Sequence, residues 1–455
     1  MSQTLALLGG KPVITRSMPA YNPLGEEEAL AAADVVRSGV LSGYLGSNHP
    51  DFWGGPRVRL MEEAFAKRLD APWAVSMNSA SSCLYAAVAA LGVGPGDEVI
   101  VPPYTMCATV TSVLCVNAIP VFADIEDQTF GLDPQSVERA ISPRTKAIIV
   151  VHLFGHMARM DAILDIARRH GLMVIEDCAQ APGATDNGRQ AGTMGDIGVF
   201  SLNCHKVINT GEGGVAVCRD EELRNRMALV RNHGEAVIGG GFKVASLSNM
   251  LGFNLRMGEI EAAIGTIQLG RLDGLNARRQ ELASRLSQRL AGMPGVIPPA
   301  VRPGCEHVWY VYPLRIDARA LSVGRNLFVK ALAAEGAPFY PGYVAPLYTL
   351  PMFQQRIGFG DAGCPFECER NRESRPSYVP GTCPVCERVE THELMASECI
   401  RPPLADRDVD DMAQAFEKVL QNLDSLRQLQ DDSQEALPVD PAGRRKAYRR
   451  QGDGA

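Results

Sequence analysis

Between about Ala74 and Val217 the chain alternates short, almost wholly apolar stretches with segments of helical spacing, and no other feature narrows the fold as far. The stretches are DEVIVPPYT, a strand over Asp97 to Val101, then IPVFADI, TKAIIVVHLFG closed by Gly155, LMVIEDCAQ and DIGVFSL. Among the helical segments, CLYAAVAALG stops at Gly92 and MDAILDIARRHG stops at Gly171, each placed as a C-terminal cap. Strands this apolar are buried on both faces, which predicts a mostly parallel sheet between layers of helices. Ligands of such sheets bind beyond the carboxyl ends of the strands, so polar residues at those ends are the candidate site.

A run of helical pattern from Glu259 to Leu290 then leads into a smaller unit. That unit holds a strand predicted over His307 to Ile316, a helix in NLFVKALAAEG and a last helix in DVDDMAQAFEKVLQNL. A length of 455 residues suits two domains. The expected division is an N-terminal arm (1–25), a large domain (26–280), a small C-terminal α+β domain (281–430) with a cysteine-rich insert at about 358–388, and a polar, disordered tail (431–455). A net charge of -7 gives no electrostatic footprint for nucleic acid. The basic residues Arg444, Arg445, Lys446, Arg449 and Arg450 read as part of the solvated tail. The opening MSQTLALLGGKPV is too short and lacks the basic flank of a signal peptide, and no apolar run has bilayer length. A cytoplasmic protein is expected, with its 12 cysteines mostly reduced.

Four segments carry chemistry. FSLNCHKVINTGEGG places Lys206 just past a strand and before a glycine-rich turn. EDCAQA puts Asp177 at the end of another strand, with Gln180 three residues on. NSASSCL offers hydroxyls and free N–H groups at a helix start, an anion site in form. GFNLRMGEIEAA sets Asn254 and Arg256 just ahead of a helix. Taken singly, each has a plain reading: a surface lysine, a strand-end acid that solvates a loop, an N-cap, a turn. Their order together resembles the DegT/DnrJ/EryC1/StrS family of sugar aminotransferases, from about Leu8 to about Leu426. The intact Lys-x-x-x-Thr-Gly-Glu-Gly-Gly spacing is the most specific element of that resemblance.

The resemblance implies an α/β, fold-type I pyridoxal-phosphate (PLP) transferase. Its large domain carries a mostly parallel seven-stranded sheet covered by helices. It implies Lys206 as the residue that binds the cofactor covalently, Asp177 as partner of the pyridine nitrogen, and Gln180 near the ring's 3-hydroxyl. Ala80, Ser81 and Ser201 would hold the phosphate, and Asn254 would reach it from a neighbouring subunit, which implies a homodimer with a shared site. Arg256 would lie close to the substrate. Where the family carries an aromatic residue over the cofactor ring, PPYTMCAT has Met106, with Tyr104 two residues earlier; either could cover the ring. Pro182 stands where a histidine often follows the family's Ala-Gln-Ala. His205, beside Lys206, has no general role in the family, and His233 reads as structural or substrate-facing.

Cys364, Cys368, Cys383 and Cys386 depart from the family pattern as a C-x3-C and a C-x2-C pair. Four such thiolates could hold a structural zinc ion; the plainer alternative is a surface loop with no metal. The reaction expected is transfer of an amino group from L-glutamine or L-glutamate to a ketone. The acceptor would be an inosose-type keto-cyclitol or a nucleotide-linked keto-sugar, in amino-sugar or aminocyclitol biosynthesis. The alternatives are a deoxysugar dehydratase using the pyridoxamine form, and a non-catalytic paralogue that binds the cofactor. The dehydratase relatives replace the lysine, and the non-catalytic ones usually lose the lysine or the acid; Lys206 and Asp177 are both present here.

Overall fold

A computed structural model describes residues 4–234, 244–246, 250–361 and 363–431. Its centre is a seven-stranded sheet of β1 (Trp73–Met77), β2 (Glu98–Val101), β3 (Ile119–Phe122), β4 (Thr145–Val151), β5 (Met173–Asp177), β8 (Ile197–Ser201) and β9 (Gly214–Cys218). Their order across the sheet is β1-β9-β8-β5-β4-β2-β3. The pairs from β8 to β3 are parallel, whereas β9 runs antiparallel to both β1 and β8. Strands β2, β8 and β9 are buried at every position, as expected of a sheet covered on both faces. The predicted strands and the seven-stranded, mostly parallel sheet are therefore present.

The antiparallel return of β9 matters for the site. Gly214 pairs with both Met77 and Ser201, so β9 begins at the edge where β1 and β8 end. The connection 202–213 that carries Lys206 is thereby held over the carboxyl ends of the strands. The approach there is close: a β-carbon on Gly214 would lie 2.4 Å from the Ala80 nitrogen, so no larger residue fits. Gly171 caps the helix Met160–His170 at φ 65°, where glycine relieves the strain of the left-handed conformation.

The smaller sheet has the order β10-β12-β14-β13, built from β10 (Val296–Ile297), β12 (Tyr312–Ile316), β13 (Tyr340–Pro341) and β14 (Leu394–Ser397). A three-stranded ribbon of β6 (Thr185–Asp186), β7 (Arg189–Gln190) and β11 (Cys305–Glu306) lies outside both. One helix of 32 residues, Glu259–Leu290, joins the two buried clusters of the protein. Its Ala262, Leu269 and Leu272 pack with the large sheet, and its Leu282, Leu286 and Leu290 pack with the small one. At 1.5 Å per residue it is about 48 Å long, enough to serve both.

Two sequence expectations need correction here. The strand predicted from His307 begins only at Tyr312. Trp309 takes a positive φ of 53° and stacks flat on His307 at 3.8 Å between ring centroids, a conformation no strand allows. The cysteine-rich insert also packs on the large sheet instead of the small unit. Tyr378 donates to the Pro120 carbonyl at 2.8 Å, and Asn371 donates to the Asn117 carbonyl at 2.9 Å. Tyr348, Phe353 and Tyr378 surround Phe122, so the insert, together with the segment just before it, covers the edge strand β3. The final helix runs to Asp431, inside the expected tail, while Arg444, Arg445, Lys446, Arg449 and Arg450 lie outside the described residues.

The N-terminal arm is fixed to the small unit. Glu335, fully buried, accepts from the backbone N–H groups of Ala6 at 2.7 Å and Val13 at 3.1 Å and pairs with Lys418 at 2.8 Å. Arg16 adds ion pairs to Asp408 and Asp411. The arm then runs on to Tyr21, whose hydroxyl donates to the Val207 carbonyl, next to Lys206.

Candidate active site

The end of β5 places Asp177 in the interior, 5% exposed. Among the described residues its carboxylate accepts two hydrogen bonds, from the Thr109 hydroxyl at 2.9 Å and the Ala179 N–H at 3.1 Å. Burial raises its pKa above the ordinary carboxylate value, opposed by those two bonds and by the positive charge of Lys206. A buried carboxylate held in this way suits a cationic partner. Lys206 makes no ion pair among the described residues, and its Nζ lies 4.5 Å from the centre of the Tyr310 ring.

The end of β1 runs through Asn78 into the helix Ala80–Ala90. Ser79 caps it, its hydroxyl accepting from the Ser82 N–H at 3.1 Å. The N–H groups of Ala80 and Ser81, in the first turn, have no acceptor within the helix. Ser81 is exposed, and Ser201 is buried at the end of β8 across from this turn. Close contact between Gly214 and Ala80 brings the helix start and the lysine loop together. An amine, a buried acid and a helix N-terminus thus converge on one edge of the sheet.

Gln180 is fixed from two sides: its Oε1 accepts from the Phe154 N–H at 2.7 Å, and its Nε2 donates to the Tyr343 hydroxyl at 3.0 Å. The Tyr104 ring is fully buried against Phe154 and Tyr343, and its hydroxyl donates to Glu390. That enclosure removes Tyr104 from the two residues considered for covering a cofactor ring. Met106 is 56% exposed, its sulfur accepting from the Ala108 N–H at 3.1 Å.

Asn254 and Arg256 stand at the rim. Asn254 is exposed and accepts from the Arg256 N–H at 3.4 Å. The Arg256 guanidinium donates to the Asn232 side-chain oxygen, through Nε at 2.8 Å. His205 is exposed, its N–H donating to Asn203 at 3.1 Å. His233 is also exposed, with φ at 65°, in a turn tied to Phe253.

The four-cysteine zinc reading does not hold. Cys364 and Cys368 are joined in a disulfide, so neither sulfur is a free thiolate. Cys383 and Cys386 are buried thiols whose pKa values are pushed up, chiefly by burial and then by neighbouring charges. With these two, ten of the twelve cysteines lie outside the disulfide as thiols. Among the described residues, the one group of ligand atoms close enough for a metal is His152, Glu176 and Cys178. Glu176 is already satisfied there, by His152 Nε2 at 2.8 Å and the N–H groups of Gly192, Met194 and Gly195 at 3.0, 2.7 and 2.6 Å. Burial raises its pKa, but these bonds outweigh burial and leave it below the usual value. The cluster braces the strand end beneath Asp177.

Sequence reasoning missed Thr109, Tyr310, Tyr343 and Tyr21. Thr109 sat inside the quoted PPYTMCAT motif, which was read only for Tyr104 and Met106. The three tyrosines reach the site from chain segments far away, with no local pattern to mark them.

The residues present suit pyridoxal phosphate. Lys206 offers an amine for its aldehyde, Asp177 a buried acid for its pyridinium, and the first turn of Ala80–Ala90 the donors for its phosphate. The profile of the DegT/DnrJ/EryC1/StrS aminotransferase family matches residues 44–366. The L-glutamine:2-deoxy-scyllo-inosose aminotransferase of Streptoalloteichus tenebrarius is 36% identical over 93% of this chain and 99% of its own. The spore coat polysaccharide biosynthesis protein SpsC of Bacillus subtilis is 33% identical over 90% of this chain and 98% of its own. The GDP-perosamine synthase of Caulobacter vibrioides is 41% identical over 63% of this chain and 77% of its own. Among solved structures, an aminotransferase from Psychrobacter cryohalolentis superposes with a TM-score of 0.76 at 28% identity, over 90% of this chain and all of that one. A sugar aminotransferase from Streptococcus pneumoniae in its PLP form gives 0.72 at 25% identity, over 90% of this chain and 99% of that one.

Proposed function

Because the chain belongs to the DegT/DnrJ/EryC1/StrS aminotransferase family, we propose that it moves an amino group from L-glutamine or L-glutamate to the ketone of an inosose-type cyclitol. It is a PLP-dependent sugar or cyclitol aminotransferase of fold type I. When bound, pyridoxal phosphate supplies the carbonyl that accepts the amino group and the conjugated ring that spreads the charge left by deprotonation.

In this reading Lys206 Nζ would hold the cofactor through its aldehyde and would carry the proton to and from the substrate carbon. Asp177 keeps a proton on the ring nitrogen, with Thr109 and the Ala179 N–H fixing its oxygens. Gln180, steadied by Tyr343, would approach the 3-hydroxyl. The N–H groups of Ala80 and Ser81, with Ser201, would hold the phosphate, and Met106 would cover the ring. Asn254 of a second copy reaches the phosphate, and Arg256 lies beside the substrate. The exposed side chains of Leu251 (76%), Phe253 (56%) and Met106 (56%) support that second copy, since a homodimer would bury them. Ten thiols against a single Cys364–Cys368 disulfide support a cytoplasmic setting.

The observation that carries the reading is the convergence of Lys206, Asp177 and the Ala80 helix start on one sheet edge. The presence of Lys206 favours transamination over the dehydratase and over a non-catalytic role. The cyclitol is preferred to a nucleotide-linked sugar because the inosose aminotransferase aligns over 93% of this chain, against 63% for the perosamine synthase. Screening ketones with glutamine as donor tests this choice. Amination of an inosose is expected, and turnover of nucleotide-linked keto-sugars alone would contradict it.

A further inference from the structure

The insert that covers β3 leads directly into a buried acid. Its last helix, Pro384–Arg388, is held just past β3, where the N–H groups of Val385 and Cys386 donate to Asp124 at 2.8 and 3.0 Å. The chain then makes one wide π-type turn, Val389–Glu393, closed by the Leu394 N–H on the Val389 carbonyl. Arg325 holds that turn: its Nη1 donates to the carbonyls of Glu390 and Leu394 at 2.6 and 2.8 Å, and its Nη2 to that of Thr391 at 2.9 Å. Glu390, 6% exposed, thus stands on a backbone fixed from two sides.

One oxygen of that acid, Oε2, takes two donors, the Tyr104 hydroxyl and the Tyr343 N–H at 2.8 Å. The two rings stand edge to face at 6.0 Å, and Phe154 packs against both, 6.3 Å from Tyr104 and 4.9 Å from Tyr343. Burial, and after it the neighbouring Glu390, push the Tyr104 pKa well above its ordinary value, so this phenol stays a donor. Gly342 allows the close approach: a β-carbon there would lie 2.3 Å from Glu390 Oε1, and its φ of 64° suits glycine. Tyr343 carries the constraint onward. Its hydroxyl accepts from Gln180 Nε2 at 3.0 Å, while Gln180 Oε1 takes the Phe154 N–H at 2.7 Å. The Phe154 N–H demands the amide oxygen, so Nε2 must face Tyr343, and its second hydrogen is left for another acceptor.

We propose that Glu390 is a positioning residue, which through Tyr343 holds the Gln180 amide toward the cofactor's 3-hydroxyl. This rests on the aminotransferase reading above, in which Gln180 approaches that hydroxyl. An N–H donated to the 3-oxygen stabilises negative charge there, most of all once the neighbouring nitrogen joined to Lys206 has lost its proton. The donor therefore lowers the pH at which the yellow band of the lysine-bound cofactor titrates. Loosening the amide at Tyr343 or at Glu390 should raise that pH. An acid that only holds the fold together would change the melting temperature and leave the band where it is.

The test is a pH titration of that band in the wild-type holoenzyme and in Q180A, Y343F, E390A, E390Q and the double variant Y343F/E390A. Circular dichroism and the band itself first show that each is folded and loaded. If E390A is not, E390D, which withdraws the carboxyl by one methylene, takes its place. The midpoint should rise by roughly half a pH unit or more in Q180A, Y343F and E390A. E390Q, whose amide oxygen can take both donors, should titrate near wild type, and the double variant should go no further than Y343F. An E390A band that titrates as in wild type while that of Y343F moves would overturn the proposal, whatever the melting temperature does. So would shifts that add in full in the double variant, since Glu390 would then act by another route. A Q180A band unchanged from wild type would instead remove Gln180 from the 3-hydroxyl, and the proposal with it.

Discussion

Asp177 is where stability and chemistry oppose each other. Without cofactor it is a buried acid whose pKa burial has raised. A raised carboxyl pKa favours the folded state at low pH, and that contribution is lost as pH rises through the folded value. Asp177→Asn should therefore make the cofactor-free protein more heat-stable at neutral pH, with the gain vanishing below about pH 4, the unfolded carboxylate range. With the cofactor bound the same change should lower the rate of transamination about a hundredfold or more, because the ring nitrogen loses its acid. Melting curves at several pH values with and without cofactor, beside rate measurements, check both halves. An Asn variant that is less stable in both states would show that Asp177 is a structural acid. Lys206 and Asp177 were legible in the sequence because their motifs keep a fixed order and sit at strand ends. Tyr310, Tyr343 and Tyr21 were not, because only the fold brings their distant segments to those strand ends.

Among elements, the strands were legible because strands covered on both faces have apolar sequences. His307–Val311 reads with the strand up to Ile316, but Trp309 takes a positive φ and stacks on His307, so the ladder begins only at Tyr312. The four cysteines left a metal knuckle and a plain loop both open by spacing alone; the insert buries Cys383 and Cys386, with the Cys386 N–H on Asp124 just past β3, and pairs Cys364 with Cys368. Thiol titration of the unfolded protein should count ten thiols without reductant and twelve with it. Metal analysis should find well under one zinc per chain. The N-terminal arm depends on the buried Glu335–Lys418 pair. Glu335→Ala leaves a buried ammonium unpaired and strips two arm N–H groups of their acceptor, at a cost of about 3–5 kcal/mol. Limited proteolysis should then cleave the arm before Tyr21 while the remainder resists; an arm as protected as in wild type would contradict this anchoring.

At the scale of the whole molecule, two buried clusters share one 32-residue helix, and the candidate site lies beside the surface where they meet. No helix of the described residues is long and apolar enough to cross a membrane. A groove of about 510 Å³, lined by Val35, Val40, Leu60 and Arg57 among others, lies apart from the lysine loop. With Leu251 and Phe253 it adds apolar surface that the proposed dimer would cover. Light scattering should give twice the mass of the chain, and a stable monomer that still turns over would rule out a site completed by Asn254 of a second copy. The account's central claim is tested most directly by the absorbance spectrum of the purified holoenzyme before and after L-glutamine or L-glutamate, repeated on Lys206→Ala. The yellow band of the lysine-bound cofactor should be present, disappear with donor, and be missing from the variant. A band unmoved by either donor, or one that persists without Lys206, would contradict it.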